Sequence, residues 1–294
     1  MAADVTAQTA ARERGRPSLV IPRRVRKLLL NLVVIAVGVI IVVPFAWVLL
    51  SSFKPKAEVM SMTRPWWPSH FTLENYQDAL FRSNIGLYFR NSIIASVITI
   101  LLNLPTGAMA AYAFSRFRFR GRDALLISVL ITQLLPAASL VVPLFTQWSR
   151  LHLLSSPVVL GITYAGLTLP LVILLLYGFM ESIPRELDEA AEIDGCTSVR
   201  AFWTIMLPLL RPGLAAAGIF MFNTTWQEFL LAVSLTSKAT GYTLPVGLYA
   251  FIGQFVTNWG GIMAMAVIIA APVAILFTLL HDQFISTLVG SVKG

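Results

Sequence analysis

The chain has 294 residues, 57% of them hydrophobic and only 12% charged, with a formal net charge of +8; its mean hydropathy is +0.77. A soluble domain carries about 25% charged residues, so this composition excludes a water-soluble globular protein and points to an all-α polytopic membrane protein with six transmembrane helices, each about 20 residues long. In that setting a basic excess reflects membrane topology and not nucleic-acid binding, and the single cysteine, Cys196, excludes an internal disulfide and a thiolate metal cluster.

In chain order, residues 1–25 read as a disordered cytoplasmic tail and 26–294 as the six-helix membrane domain. The tail is polar and aperiodic over 1–22. The basic run from Arg12 to Lys27 resembles the start of a signal peptide, but the apolar stretch 28–50 is too long for one and no small-residue cleavage pattern follows. It is therefore a retained first span. Residues 53–85 form a polar loop broken by Pro55, Pro65 and Pro68, with Trp66 and Trp67 suited to the membrane interface. The remaining spans are expected near 88–114, 124–146 (kinked at Pro136 and Pro143), 157–180, 212–235 and 260–281.

Orientation follows from the basic residues. With the N-terminus in the cytoplasm, fifteen Lys and Arg fall on the inner side and seven on the outer side. The positive-inside rule then puts both termini, the arginine-rich loop Arg116–Arg122 and the segment 181–211 in the cytoplasm.

Segment 181–211 is the longest charged interior stretch. Pro184 suits a first helical turn, and Glu186, Asp188 and Glu189 favour the positive end of a helix dipole. Gly195 supplies a left-handed C-cap. Thr197 or Ser198 caps a second helix running to Met206, and Pro208 ends it. Leu187, Ala190, Ala191 and Asp194 share roughly one face. The two small alanines allow a partner close approach, and Glu186, Glu189 and Glu192 offer anchors for a basic partner. A helix lying on the membrane surface is the bland alternative. Such helices are rich in Lys and Arg, whereas this one is acidic, which favours a protein partner.

These residues carry a resemblance. Glu189-Ala190-Ala191, then Gly195, Ile205 and Leu207-Pro208 at their spacing, match the EAA signature of permease subunits of bacterial binding-protein-dependent ABC importers. Ile183-Pro184-Arg185-Glu186-Leu187, Phe71-Thr72-Leu73-Glu74-Asn75-Tyr76, Asn91-Ser92 and the closing Val292-Lys293-Gly294 are similar to the carbohydrate branch, in particular its maltose-type second permease. The resemblance implies a type I ABC importer permease fold in a bacterial plasma membrane. Loop 181–211 would be the coupling helix that docks on a cytoplasmic ATPase, with Glu186, Glu189, Ala190, Ala191, Asp194, Gly195, Ile205, Leu207 and Pro208 as its coupling residues. Implied partners are a second permease subunit, two copies of the ATPase and an extracellular solute-binding protein. ATP and magnesium would be bound by the ATPase; none of the five lysines here follows a glycine, as a phosphate-binding loop requires.

Two further sets of residues are candidates. Asn223, Trp226, Gln227 and Glu228 form the most polar patch inside an expected span, and buried acids in membranes default to function. They are read as a substrate path or gate, with Trp226 placed to stack on a sugar, against a reading as helix–helix hydrogen bonding. The family pattern has Trp-Asn-Glu where this chain has Trp226-Gln227-Glu228. Loop 236–259, with Tyr242, Pro245, Tyr249 and Gln254, resembles the loop that reaches into the binding protein; an ordinary connection is the alternative. His70, His152 and His281 are too scattered to suggest a metal site. A secondary transporter would need an inverted repeat with ionisable midplane residues, and an intramembrane enzyme a catalytic pair at helical spacing; neither pattern is present.

Overall fold

The computed structural model describes residues 23–61, 66–81, 83–249, 251–252 and 257–291, without the side chains of 23 and 280–291. Residues 1–22 of the expected tail, Gln254 and the closing tripeptide lie outside the described residues. The chain divides into two units, Met1–Val48 and Leu49–Gly294. The first contains most of α1 (Arg23–Ser52), a 30-residue helix with Pro44 inside it. Its apolar run reaches 3.0 in mean hydropathy, enough to cross a bilayer. Helix thus begins two residues before the expected tail ends.

The second unit is helical throughout its regular elements. The expected polar loop after α1 carries a helix of its own, α2 (Glu74–Phe81). Then follow α3 (Ile85–Arg116), α4 (Arg122–Thr132), α5 (Ala137–Arg150) and α6 (Pro157–Glu181). The charged segment supplies α7 (Glu186–Ile193), α8 (Ser198–Ala201), a π-helical turn at Phe202–Met206 and α9 (Leu207–Leu209). The chain closes with α10 (Arg211–Trp226), α11 (Leu230–Leu235), α12 (Leu244–Tyr249) and α13 (Trp259–Ser291). Among the described residues, regular β-pairing amounts to one isolated bridge, Ile252 to Thr257.

Among the described residues, four helices, α1, α3, α6 and α13, are individually long and apolar enough to cross a membrane. Two more apolar pieces are bent pairs. Helices α4 and α5 meet at 90°, and the α8–α9 stretch meets α10 at 72°. The expected span 124–146 is therefore broken, not merely kinked, around Gln133–Pro136. Pro136 cannot donate to the preceding turn, and its extended backbone starts a new helix at Ala137. The expected span 212–235 is also interrupted, after Trp226.

Helices α3 and α6 make the most extensive helix contact. Their facing surfaces are small: Ala95, Gly107, Ala108 and Ala111 are buried on α3. A Cβ on Gly161 of α6 would lie 2.8 Å from both the Ala95 carbonyl oxygen and Ile98 Cβ, so glycine is what lets the backbones approach. Polar side chains lock the register. Thr99 donates to the Gly161 carbonyl at 2.9 Å, and Asn103 donates to the Ala165 carbonyl at 3.1 Å and to Thr168 Oγ1 at 2.8 Å. In an apolar surround, such groups are tolerated because they find these partners. Around this pair lie three buried clusters. One, with Tyr112, Leu176, Phe202 and Met206, sits under the charged segment. The other two centre on Trp226 with Met265, and on Tyr164 with Leu231.

Candidate functional site

The charged segment folds as a helix–turn–helix fastened to the last turn of α3. Helix α7 ends in a paired capping arrangement at Gly195, whose φ is +76°. The Gly195 N–H bonds the Glu192 carbonyl at 3.0 Å and the Cys196 N–H bonds the Ala191 carbonyl at 2.9 Å. These are the two bonds of a Schellman cap, which needs a left-handed residue between them. Of the two candidate caps of the second helix, Thr197 is the one used: its Oγ1 accepts from the Arg200 N–H.

The fastening is ionic and largely buried. Arg116 Nε lies 2.6 Å from Asp188 Oδ2, with side-chain exposures of 6% and 16%. Arg116 Nη2 donates to the Ile183 carbonyl at 2.8 Å, and Tyr112 OH donates to Asp188 Oδ1 at 3.3 Å. Next to them, Ser115 donates to Glu181 at 2.6 Å and its carbonyl accepts from Arg185 at 2.7 Å. Removing one partner of a buried pair costs about 3–5 kcal/mol, because the other charge is left uncompensated.

This geometry divides the motif residues into two groups. Glu186, Glu189, Ala190, Asp194, Gly195 and Pro208 are exposed. Ala191 is buried, and Ile205 and Leu207 pack on the cluster under the loop. Ala191 is therefore not available to a partner in this conformation. Adjacent helical residues diverge by about 100°, so Ala190 faces out while Ala191 faces the core. Three apolar side chains absent from the motif share the exposure: Ile193 at 86%, Val199 at 69% and Trp203 at 52%. In the sequence Ile193 stands between the exposed acids Glu192 and Asp194. The signal of the three apolar side chains in the sequence was apolar residues on the wrong side of an amphipathic pattern.

The second candidate patch lies at the break after α10. Asn223 and Gln227 are exposed, and Gln227 Nε2 donates to Asn223 Oδ1 at 2.5 Å. Glu228 is not inside a helix. Its carboxylate accepts from the Leu231 N–H at 2.8 Å, the Ala232 N–H at 3.0 Å and Tyr164 OH at 2.9 Å. It thus caps α11, just past the end of α10 at Trp226, and ties it to α6. Trp226 is fully buried: its indole N–H donates to the Ile269 carbonyl at 2.9 Å, its ring stacks on Phe222 and Phe89 meets it edge-on. Stacking of Trp226 on a sugar, as the sequence suggests, is therefore unavailable in this conformation.

The third candidate is segment 236–259, whose described residues 236–249 form a cap at the other end of α3. Asn91 donates to the carbonyls of Thr240 and Tyr242, both at 2.9 Å, and Ser92 Oγ accepts from the Leu244 N–H at 2.9 Å. Tyr242 and Pro245 are half-buried, whereas Tyr249 is exposed and lies near Phe229. Asn91 and Arg116 are separated by about 38 Å along α3 at 1.5 Å per residue, so one helix joins the clamp on this cap to the fastening of the charged loop.

A body of long apolar helices and two bent helix pairs, with an acidic helix–turn–helix mounted on it, marks a multi-pass membrane protein. Residues 103–288 match the family described as "Binding-protein-dependent transport system inner membrane component", and the chain belongs to that family. It is 33% identical to the diacetylchitobiose uptake system permease protein DasC of Streptomyces coelicolor, over 90% of this chain and 96% of that protein. It is 37% identical to the sulfoquinovosyl glycerol transport system permease protein SmoH of Agrobacterium fabrum, over 85% and 88%. With the galactooligosaccharides transport system permease protein GanQ of Bacillus subtilis the identity is 35%, over 92% and 98%. The fold is similar to a chain in the crystal structure of a bacterial ABC transporter that imports the acidic polysaccharide alginate: TM-score 0.77, 21% identity, 90% of this chain and 99% of that one.

Proposed function

We propose that this chain is a permease subunit of an ATP-driven ABC importer that carries a carbohydrate, a di- or oligosaccharide or a related polar solute, from an extracellular binding protein into the cytoplasm by alternating access. The observation that carries the reading is the helix–turn–helix at 186–206, which exposes Glu189, Ala190, Ile193 and Val199 while a buried ion pair fastens it to α3. A soluble ATPase docked there, supplying the ATP and magnesium sites, pushes on a loop that cannot yield separately from the membrane helices. Both termini and this loop face the cytoplasm, as the excess of Lys and Arg on that side supports.

The partners are a second permease, two ATPase copies and the binding protein, which meets the cap of residues 236–249 at Tyr249. Asn223 and Gln227, exposed and paired, face the solute path. The names of the relatives support a sugar cargo. Calorimetry of the cognate binding protein against mono-, di- and oligosaccharides tests the cargo. Binding of a sugar, followed by its uptake by the complex, is expected; a receptor that takes only amino acids or metal ions overturns the carbohydrate assignment.

A further inference from the structure

Arg116 belongs to a run of four arginines, at 116, 118, 120 and 122, whose evident role is to hold the loop on the positive side of the membrane. The structure separates them. Arg118 and Arg120 are exposed. Arg122 folds back onto the Phe114 carbonyl and Tyr177 OH. Arg116 alone turns into the charged segment, where it reaches Asp188 and the Ile183 carbonyl.

The contacts made by this last turn of α3 span every part of the segment. Ile183 lies before α7, Asp188 lies within it, and Ser198 opens α8. Tyr112 OH, which approaches Asp188 Oδ1 at 3.3 Å, also lies 3.4 Å from the Ser198 carbonyl. One helix end therefore grips both arms of the helix–turn–helix. The grip includes an ion pair largely screened from water, where charges attract more strongly than they do in bulk water. Apolar contact lets a loop slide or rock, whereas an ion pair whose partners are also hydrogen-bonded, Arg116 to the Ile183 carbonyl and Asp188 by Tyr112 OH, fixes orientation.

We propose that Arg116 and Asp188, steadied by Tyr112, form the joint that transmits displacement of the docking loop to α3, and that they are positioning residues for the coupling of ATP hydrolysis to transport. This rests on the reading of the loop as the ATPase-docking element. Motion received at Glu189 and Ile193 passes through Asp188 and Arg116 to α3, whose far end holds the 236–249 cap through Asn91 and Ser92. A joint of this kind affects how much solute moves per ATP consumed more than whether the chain folds.

Two readouts test it. The first is hydrogen exchange of residues 186–201 in the full chain in nanodiscs. Arg116→Met and Asp188→Asn are expected to speed exchange there by at least about tenfold, through the loss of a largely buried ion pair. Arg118→Met leaves it as in the wild type, and the exchanged pair Arg116→Asp with Asp188→Arg recovers part of the protection. The second is the ratio of solute taken up to ATP hydrolysed by the complete transporter in proteoliposomes, expected to fall several-fold in both single variants. If either does not accumulate, Tyr112→Phe keeps the ring contacts with Phe117 and Phe202 and loses only the hydroxyl, with about a two- to tenfold effect on exchange and a smaller fall in the ratio. Unchanged exchange in the single variants overturns the joint. Faster exchange with an unchanged ratio reduces the pair to a structural clasp and also overturns it. A wild-type complex with no ATP-linked uptake removes the coupling reading, and the joint with it; a coupled wild type with an equally coupled Arg116→Met removes the joint alone.

Discussion

Replacing Gly195 isolates the geometry of the charged loop from its chemistry. Gly195 holds φ at +76°, and a Cβ built on it meets nothing within 4 Å. The effect of Gly195→Ala is therefore backbone strain alone, about 1–2 kcal/mol for an L-residue in the left-handed region. That energy reduces the population of the closed turn, relative to opened forms, by a factor of about 5–30. The reporters are the amides of Gly195 and Cys196, which bond the Glu192 and Ala191 carbonyls. Both should exchange faster in Gly195→Ala, less fast in Gly195→Asn because asparagine tolerates this conformation, and fastest in the β-branched Gly195→Val. Hydrogen exchange of the peptide spanning 186–198 in the full chain measures this order. Equal rates for wild type and Gly195→Ala, or faster exchange in Gly195→Asn than in Gly195→Ala, refute the capping argument.

Other substitutions probe the remaining contacts. Glu228→Ala leaves the Tyr164 hydroxyl and two backbone N–H groups without their acceptor and is expected to cost about 1–3 kcal/mol, with Glu228→Gln milder; equal unfolding midpoints for all three proteins would show that Glu228 is not a cap. Asn223→Ala should lower solute uptake while leaving the amount of assembled complex unchanged, and normal uptake would remove Asn223 from the solute path. In Gly260→Ala the new Cβ falls on Asn75 Oδ1, so Asn75 loses its bonds to the Ser52 and Lys54 carbonyls; protease cutting in α2 should increase, and an unchanged digestion pattern counts against this contact. Hydrogen bonds to Asp78 and Glu74, at 2.5 and 3.0 Å, hold the Lys56 pKa above its ordinary 10.5. Their stabilisation is complete below pH 10.5 and is lost as pH rises through the raised value. Thermal unfolding from pH 8 to 11.5 should lose part of its alkaline slope in Lys56→Met, and an identical slope would show that Lys56 contributes none of it.

Composition made the membrane class legible, and helical propensity together with Gly195 located the turn of the charged loop. What escaped were properties that depend on residues distant in sequence. Glu228 looked like an acid inside a span, because Tyr164, its partner on α6, lies 64 positions away. Trp226 looked available to a ligand until the Ile269 carbonyl and Phe222 were seen to enclose it. Arg116 is one of four like charges in the sequence; what turns it inward is Asp188 and the Ile183 carbonyl, which is 67 positions away. Ala190 and Ala191 are alike in size, but their one-residue offset of about 100° leaves Ala190 exposed and Ala191 buried. Pro136 is legible in the sequence as a kink; the 90° size of the bend there is not.

The central claim is that the loop presenting Glu189 transmits ATP-driven force to a sugar-conducting membrane body. Its most direct test is uptake by the complete transporter in proteoliposomes, with ATP enclosed on the ATPase side and the sugar-loaded binding protein on the other, comparing wild type with Glu189→Lys. The account predicts ATP-dependent uptake by the wild type and, in the variant, loss of uptake with either poor ATPase retention or hydrolysis no longer stimulated by the loaded binding protein. Normal uptake and normal stimulation in Glu189→Lys would contradict it.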